Sequence, residues 1–514
     1  MKKIYLSLML FGAVALASCD MDKAPYGSLD DETGIESAQD VREFRNQLYS
    51  SLRGVTSGSW LYTSDLQMDE FHGVISNGNN MGDISNATFN ISTSYFESFW
   101  SGAYSVIATA NAVLAQCDNK IADPSFSDAD KQNFERYKGE AKFTRAYMYF
   151  WLADHYCLPY TRTDVNKAAS GLPLTTTYNP TSDVKAYPSR STLAETFNLI
   201  DQDLKDAYDA LKKFEANGTY NNKEKANPEA YISSWAVEAL QARVALIKGD
   251  WATARDKSTD VISNGGYELA NISNYESMWT TDDTKEVHEA IFQPIMTSTE
   301  LGGSNGTHYI SADQTTANYI PTYGTLAMYD DTDVRMGVFF TLYTNLQVEG
   351  SSYQVFVMNK FPGNPALWTG SVNNIMNMSK PFRLSEMYLI AAESYGQLND
   401  LGNASNYLNE FISNRVDGYV STQFISQSTL LNRVYDEREK EFLGEGMRMS
   451  DLRRLGKGFI RYASHDEDPT VDGIVVATGR SLSYSVDDYR YTWPIPKAEM
   501  DSNPQLKGQQ NPGY

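Results

Sequence analysis

The stretch from Pro381 to Gly458 constrains the fold of this chain more than any other. In PFRLSEMYLIAAESYGQL, Leu384, Tyr388, Ala391, Ala392, Tyr395 and Leu398 recur at the spacing of one helical face. Leu401-Gly402-Asn403, after Asp400, lets a second helix (about Asn403 to Asn414) fold back on the first. The small side chains of Ala391 and Ala392 admit a neighbouring helix at close range. A hairpin of this kind cannot bury its apolar faces alone and must stack on others.

The partner hairpin is SWAVEALQARVALIKGDWATARDKSTDVISNGG, which repeats the first at an offset of 150: Leu240 falls on Ile390, Ala242 on Ala392, Ala254 on Ala404, and Ile262-Ser263-Asn264 on Ile412-Ser413-Asn414. With helices predicted at about 38–52, 95–117, 130–156 and 192–214, this implies a mainly α scaffold of four or so tetratricopeptide-like hairpins. The helical parts are about 38–265 and 381–456, within a single domain 38–514. Between them, 271–379 changes character. Short apolar or alternating runs (EAIFQPIM, VFFTLYT, YQVFVMNKF) sit among Gly/Asn/Ser loops, which predicts a loop-rich insertion containing short strands. A second non-periodic stretch, Arg53 to Ser94, is equally rich in Gly, Asn, Ser and aromatics, and such stretches inside a domain are often functional.

The helix predicted over Ser428 to Leu443 and its continuation carry Asp436, Glu437, Arg438, Glu439, Glu441, Glu445, Arg448, Asp451, Arg453 and Arg454. The charges lie among Leu and Phe without His or Cys, so an ion-pair network pinning the last helices is favoured over a polar site. In Tyr329 to Arg335 (YDDTDVR) a turn and an Arg–Asp pair are expected.

FRLSEMYLIAAES, EREKEFLGEGMRMSDLRR, the ending WPIPKAEMDSNPQLKGQQNPGY and, independently, YKGEAKFTRAYMYFWLADHYCLPYT (Tyr137 to Thr161) resemble the signature segments of the SusD/RagB family of surface lipoproteins. The resemblance implies a non-catalytic protein that captures oligosaccharide at the cell surface. It also implies delivery of that ligand to a SusC-like, TonB-dependent outer membrane transporter. A RagB-like peptide-capturing relative is the alternative, and a surface glycan hydrolase a third reading. The family's binding residues are not part of its signature segments, so none is carried over.

The N-terminus agrees. Lys2 and Lys3 precede an apolar run, Ile4 to Leu16, too short to span a bilayer, and Leu16-Ala17-Ser18-Cys19 forms a lipobox. This predicts a signal peptide 1–18, lipidation at Cys19 and a tether 19–37 that holds the protein to the outer membrane, facing the exterior. Removing 1–18 takes away two lysines and no acid, so the formal charge of −22 becomes −24. That charge argues against nucleic acid as a partner. Cys117 and Cys157 lie near the ends of consecutive helices and are expected to remain free thiols.

No catalytic constellation emerges. Gly302 to Gly306 satisfies GxSxG without the strand–turn–helix context and reads as a flexible loop. The five histidines (72, 155, 288, 308, 465) form no HExxH pair, and no cofactor is expected. Asp466, Asp468 and Asp472 could offer oxygens to calcium, but Val471 and Ala477 stand where an EF-hand needs Gly and Glu. A glycan platform instead needs aromatic faces for sugar C–H groups and short polar side chains for hydroxyls. Trp60, Tyr62, His72, Trp279, Tyr309, Tyr323 and Trp368, all in the two loop-rich stretches, are the candidate ligand-binding residues. Binding is expected to map there and not to the charged helix.

Overall fold

A computed structural model describes residues 35–75, 80–462, 474–475 and 482–514. The signal peptide, Cys19, most of the tether and the acids Asp466, Asp468 and Asp472 lie outside the described residues. By contact the chain divides into Met1–Phe44 and Arg45–Tyr514.

Helix α1 is Ala38–Val55 and α2 is Ser59–Gln67. The second was not predicted. Its residues Tyr62 to Gln67 are all buried, so it lacks the polar face that would give a helical period. Two 29-residue helices follow, α3 (Ser94–Ala122) and α4 (Asp128–Tyr156), then α5 (Leu193–Asn217). α4 and α5 both begin in capping boxes, Ser127 with Asp130 and Thr192 with Glu195, which satisfy amide groups that a helix start leaves unpaired. Buried Asn111 of α3 accepts from Arg145 of α4 (2.6 Å), and Arg145 forms a two-point ion pair with Asp203 of α5 (2.7 Å each). One guanidinium thus fixes three helices. Cys117 and Cys157 are buried free thiols, as expected.

The repeated hairpins are α6 (Ser234–Lys248) with α7 (Trp251–Asn264) and α8 (Leu384–Gln397) with α9 (Leu401–Ser413). Their turns are alike in detail. Gly249 and Asn399 occupy the left-handed region (φ 70° and 61°), and the next residue, Asp250 or Asp400, caps the returning helix. α7 packs on α8, so the two hairpins are adjacent although the insertion separates them in sequence. α10 (Gln427–Glu441) and α11 (Arg448–Leu455) complete a mainly helical, tetratricopeptide-like scaffold.

Among the described residues the strands are short and pair in twos: β1 (Phe71–Gly73) with β3 (Tyr319–Pro321), β2 (Ala290–Phe292) with β6 (Phe382–Arg383), β4 (Phe340–Val348) with β5 (Ser351–Met358), and β7 (Phe459–Arg461) with β8 (Leu482–Tyr484). The insertion has a small apolar core of its own, built from Ile310, Ile320, Leu346, Val355 and Val357. Val74 joins it from the N-terminal loop stretch, and Ile474 and Val475 from near the C-terminus.

The charged helix carries the predicted ion-pair network. Arg335 pairs with Asp333 (2.8 Å) and Glu437 (2.7 Å), Arg438 with Asp451 (2.8 Å), and Arg454 with Asp451 (2.8 Å) and Glu393. The GxSxG loop is held, not flexible: Asn305 is fully buried and its Oδ1 accepts from Gly58 N (2.8 Å), while Ser304 Oγ donates to Ile375 O (2.5 Å). A hydroxyl fixed on a carbonyl in a loop with no helix behind it is not a nucleophile elbow.

Candidate functional site

The antiparallel pair β1–β3 joins the two loop-rich stretches, with His72 opposite Ile320 and Phe71 opposite Pro321. Beyond β3 the chain is seated on the segment before β1. Thr322 N donates to Glu70 O (2.9 Å), Thr322 Oγ1 to Asp69 O (3.1 Å) and Thr325 Oγ1 to Glu70 O (3.0 Å). Thr322 also caps the turn Tyr323–Leu326, which presents Tyr323 outward. The tyrosine is 37% exposed.

Across from it, β7 alternates inward and outward as a strand must. Phe459 and Arg461 are buried, while Ile460 (52%) and the following Tyr462 (57%) stand in solvent. Among the described residues Arg461 forms no ion pair with a carboxylate. Its Nη1 donates to the carbonyls of Leu66 (3.2 Å), Met68 (2.9 Å) and Phe71 (3.1 Å), and its Nη2 to Ser85 O. One cation therefore gathers the end of α2, the bend after it, the start of β1 and the short helix Gly82–Ser85. Burial lowers its pKa, and the carbonyls take up its donors.

Between these walls lies a cleft of about 290 Å³. It is lined by Tyr323, His72, Ile460 and Tyr462, with Thr322, Asp69 and Glu439 as polar groups. Arg448 clamps the acids, donating to Asp69 through Nε (2.9 Å) and Nη2 (2.7 Å) and to Glu439 through Nη1 (2.5 Å). Burial, more than the neighbouring guanidinium can offset, pushes the Glu439 carboxyl up to about 7. Two exposed phenol rings and an apolar side chain flanking hydroxyls and carboxylates suit a ligand with apolar faces edged by hydroxyl groups.

Of the predicted residues, the structure brings together His72 and Tyr323. Trp279 (1% exposed), Tyr309 (0%) and Tyr62 (7%) are in the core, with no ring face free for a ligand. Trp279 lies beneath Lys360 and Lys380, whose ammonium groups are 4.5 and 5.0 Å from its ring, Tyr309 packs on Phe71 and Tyr62 on His308. Trp60 is half-buried against Trp151 and Phe99, and Trp368, half-buried after the turn Pro365–Leu367, is outside the cleft. Sequence reasoning missed Tyr462, Ile460, Arg461 and Asp69. It also set aside the charged helix, which contributes Glu439. The alternation Phe459 to Tyr462 was the one local signal available. Among the described residues no group of three or more His, Cys, Asp or Glu is arranged to hold a metal ion, and no helix is long and apolar enough to cross a membrane.

Comparison with known proteins agrees with this architecture. A model of the SusD family matches residues 271–514, and one described as starch-binding associating with outer membrane matches residues 21–246. SusD-like protein P2 of Formosa agariphila is 22% identical over 551 aligned positions, covering 100% of both chains, and SusD-like protein P38 of the same organism is 21% identical, covering 88% of this chain and 90% of its own. A SusD superfamily structure from Bacteroides thetaiotaomicron is 27% identical with a TM-score of 0.75, covering 93% of this chain and 100% of that one. Another, from Bacteroides vulgatus, shares the fold at 23% identity, with a TM-score of 0.73 and coverage of 93% and 99%. The two family models account for both halves of the chain, and the scaffold matches solved members over nearly its whole length: this chain belongs to the SusD family.

Proposed function

We propose that the protein is a lipid-anchored, non-catalytic glycan-binding component of nutrient uptake on the outer face of the outer membrane. It captures oligosaccharide in the β1–β3/β7 cleft and passes it to a SusC-like, TonB-dependent transporter. The observation that carries the binding reading is the pair of exposed tyrosines, Tyr323 and Tyr462, lining a cleft with Thr322 and Asp69. The family model described as starch-binding supports the ligand class. A glycosidase would need its neutral acid free to reach a glycosidic oxygen. Glu439 is instead bridged to Arg448.

The test is a binding screen of oligosaccharides against peptides, with product analysis of every hit. Tyr323→Ala and Tyr462→Ala are each expected to weaken the oligosaccharide hit by about 1–3 kcal/mol, or about 5- to 150-fold in Kd, with little change in melting. Full affinity in both variants would remove the cleft from the proposal. Peptide hits alone would replace the glycan reading, and cleaved products the non-catalytic one.

Anchor and partner are tested together, by comparing wild type with Cys19→Ala after mild detergent extraction. Wild type is expected to carry lipid label and to be recovered with a TonB-dependent barrel, whereas the variant loses the label and leaves the membrane fraction. Unchanged fractionation of the variant counts against the anchor. Recovery of wild type alone counts against the partner.

A further inference from the structure

Beside the cleft, four carboxyl groups from three elements converge, and among the described residues one guanidinium, that of Arg448, bonds to any of them. Asp65 comes from α2, Asp69 and Glu70 from the bend before β1, and Glu439 from α10. Arg448 of α11 holds Asp69 and Glu439. Asp65 Oδ2 accepts from Gly446 N (2.8 Å), an approach that needs glycine: its φ is 78°, and a side chain there would meet Leu61 O at 2.7 Å. Asp65 and Glu70 are 0% and 1% exposed. Asp65 Oδ1 and Glu70 Oε2 are buried with no hydrogen-bond partner among the described residues.

Of the other charges around the cluster, Arg438 lines an adjoining cavity with one buried Nη1 unpaired among the described residues while its Nε donates to Asp451 (2.8 Å), and Arg461, near Asp69, gives its donors to main-chain carbonyls. Lys360, which faces Asp65, is taken up by Glu445 (2.6 Å) and by the carbonyls of Glu441 and Leu443. Near Glu439 stand Asp436, a further acid, and Lys457, whose ammonium lies over the Tyr435 ring at 4.6 Å. Four carboxyls that share one bonded guanidinium, two of them with buried oxygens that have no hydrogen-bond partner among the described residues, cannot all be ionised at low cost. Burial and mutual repulsion raise three of them: Asp65 to about 7, Glu439 to about 7, and Glu70 well above the ordinary range, with Asp65 beside it. A cavity of about 120 Å³, lined by Glu70, Glu439 and Arg438, adjoins the cleft through Glu439. It is polar and wide enough to admit water to these acids.

The segment that bears two of the acids also holds the cleft wall. The Tyr323 turn is seated on Asp69 O and Glu70 O by three hydrogen bonds. We propose that Asp65, Glu70 and Glu439, packed about Arg448 and its partner Asp69, form a proton-operated latch. Protonated, the cluster keeps the Asp69–Glu70 bend and the Tyr323 turn together. On losing its protons it repels itself, and the bend, the one part not in a helix, moves away and opens the cleft. This regulates the ligand site proposed above and rests on that reading, but its test needs no ligand.

The sign follows from linkage. Groups whose pKa is raised in the folded state contribute stability that is complete below the ordinary carboxylate pKa of about 4 and is lost as pH rises through about 7. Glu70→Gln fixes the neutral form at every pH. Its melting temperature minus that of wild type is therefore expected to be near zero or negative at about pH 5 and to rise steadily toward about pH 8. Hydrogen exchange of the Thr322 amide, corrected for intrinsic chemistry, is expected to accelerate about tenfold or more over that range in wild type and not in the variant. If Glu70→Gln fails to fold, Asp65→Asn, which keeps an acceptor for Gly446 N, is read in the same way. Parallel melting curves and pH-independent exchange at Thr322 would overturn the latch, whatever the ligand screen returns. A rising difference with pH-dependent exchange would establish it even if that screen found no glycan.

Discussion

Replacing Glu441 by glutamine is expected to lower the unfolding free energy by about 3 to 5 kcal/mol, the cost of removing one partner from a buried ion pair. Its Oε1 accepts from Arg383 Nη1 (2.7 Å), Arg415 Nη2 (3.2 Å) and Tyr275 OH (3.1 Å), and its Oε2 from Arg415 Nε (3.0 Å) and Arg335 Nη1 (3.4 Å). Glu441 and the three guanidinium groups are 0–1% exposed. Glu289, pairing with Arg383 (2.7 Å) and Arg415 (2.8 Å), extends the network to the start of β2. The same charges thus join α10, β6, the end of the α9 turn and the insertion. With glutamine, three arginines keep their desolvation cost and lose a counter-charge.

The pH dependence has a definite sign. Burial alone would raise the Glu441 pKa, but Arg415, Arg383 and Arg335 hold it far below the usual range. A depressed pKa contributes stability above the ordinary value of about 4, lost as pH falls below it. Chemical denaturation at neutral pH and at about pH 3 should therefore show the variant's deficit shrinking in acid. A neutral-pH deficit below about 1 kcal/mol would show that the network is energetically neutral, as some buried pairs are.

Trp493→Ala is expected to cost a similar amount, about 3 to 5 kcal/mol, for a different reason: lost apolar burial and the cavity left behind. Trp493 is 1% exposed and stacks on Phe99 (centroids 5.6 Å apart). Phe96, His155, Tyr156 and Trp151 surround it at 4.5–5.9 Å. Its Nε1 donates to Gln67 Oε1 (2.8 Å), and its backbone N to His155 O (2.8 Å). It therefore ties the C-terminal segment to α2, α3 and α4. Trp493→Phe should recover part of the loss while leaving Gln67 Oε1 unpaired. Denaturation of both variants checks this. A loss in Trp493→Ala no larger than that of a surface substitution, within about 0.5 kcal/mol, would mean that the C-terminal segment is not part of the core.

What the sequence determined by itself is what short-range physics controls. Helix period is local, so α3, α4, α5 and both repeated hairpins could be read within a few residues of their ends, although the turn read at Leu401-Gly402-Asn403 lies at Asn399-Asp400 and those three residues open α9. Charge pattern is also local, and the concentration of acids and arginines from Asp436 to Arg454 was readable as structure because Leu and Phe alternate with it. The local pair of Arg335 with Asp333 was readable, but the Glu441 network was not, since Glu289, Arg383 and Arg415 lie far along the chain from it.

The cleft was decided only by the tertiary structure. Whether a tyrosine faces solvent depends on which distant segment covers it: Tyr309 and Tyr323 lie in one loop-rich stretch with similar neighbours, yet Tyr309 is buried against Phe71 while Tyr323 is 37% exposed on a turn held by Glu70. The β1–β3 pairing and the four carbonyls gathered by Arg461 bring together residues hundreds of positions apart. Their energy comes from main-chain groups that every residue carries, so no side-chain pattern announces them. Helix α2 was hidden for the same reason. A helix covered on all sides loses the polar face by which a sequence shows its period, and only the surrounding fold determines that it is covered.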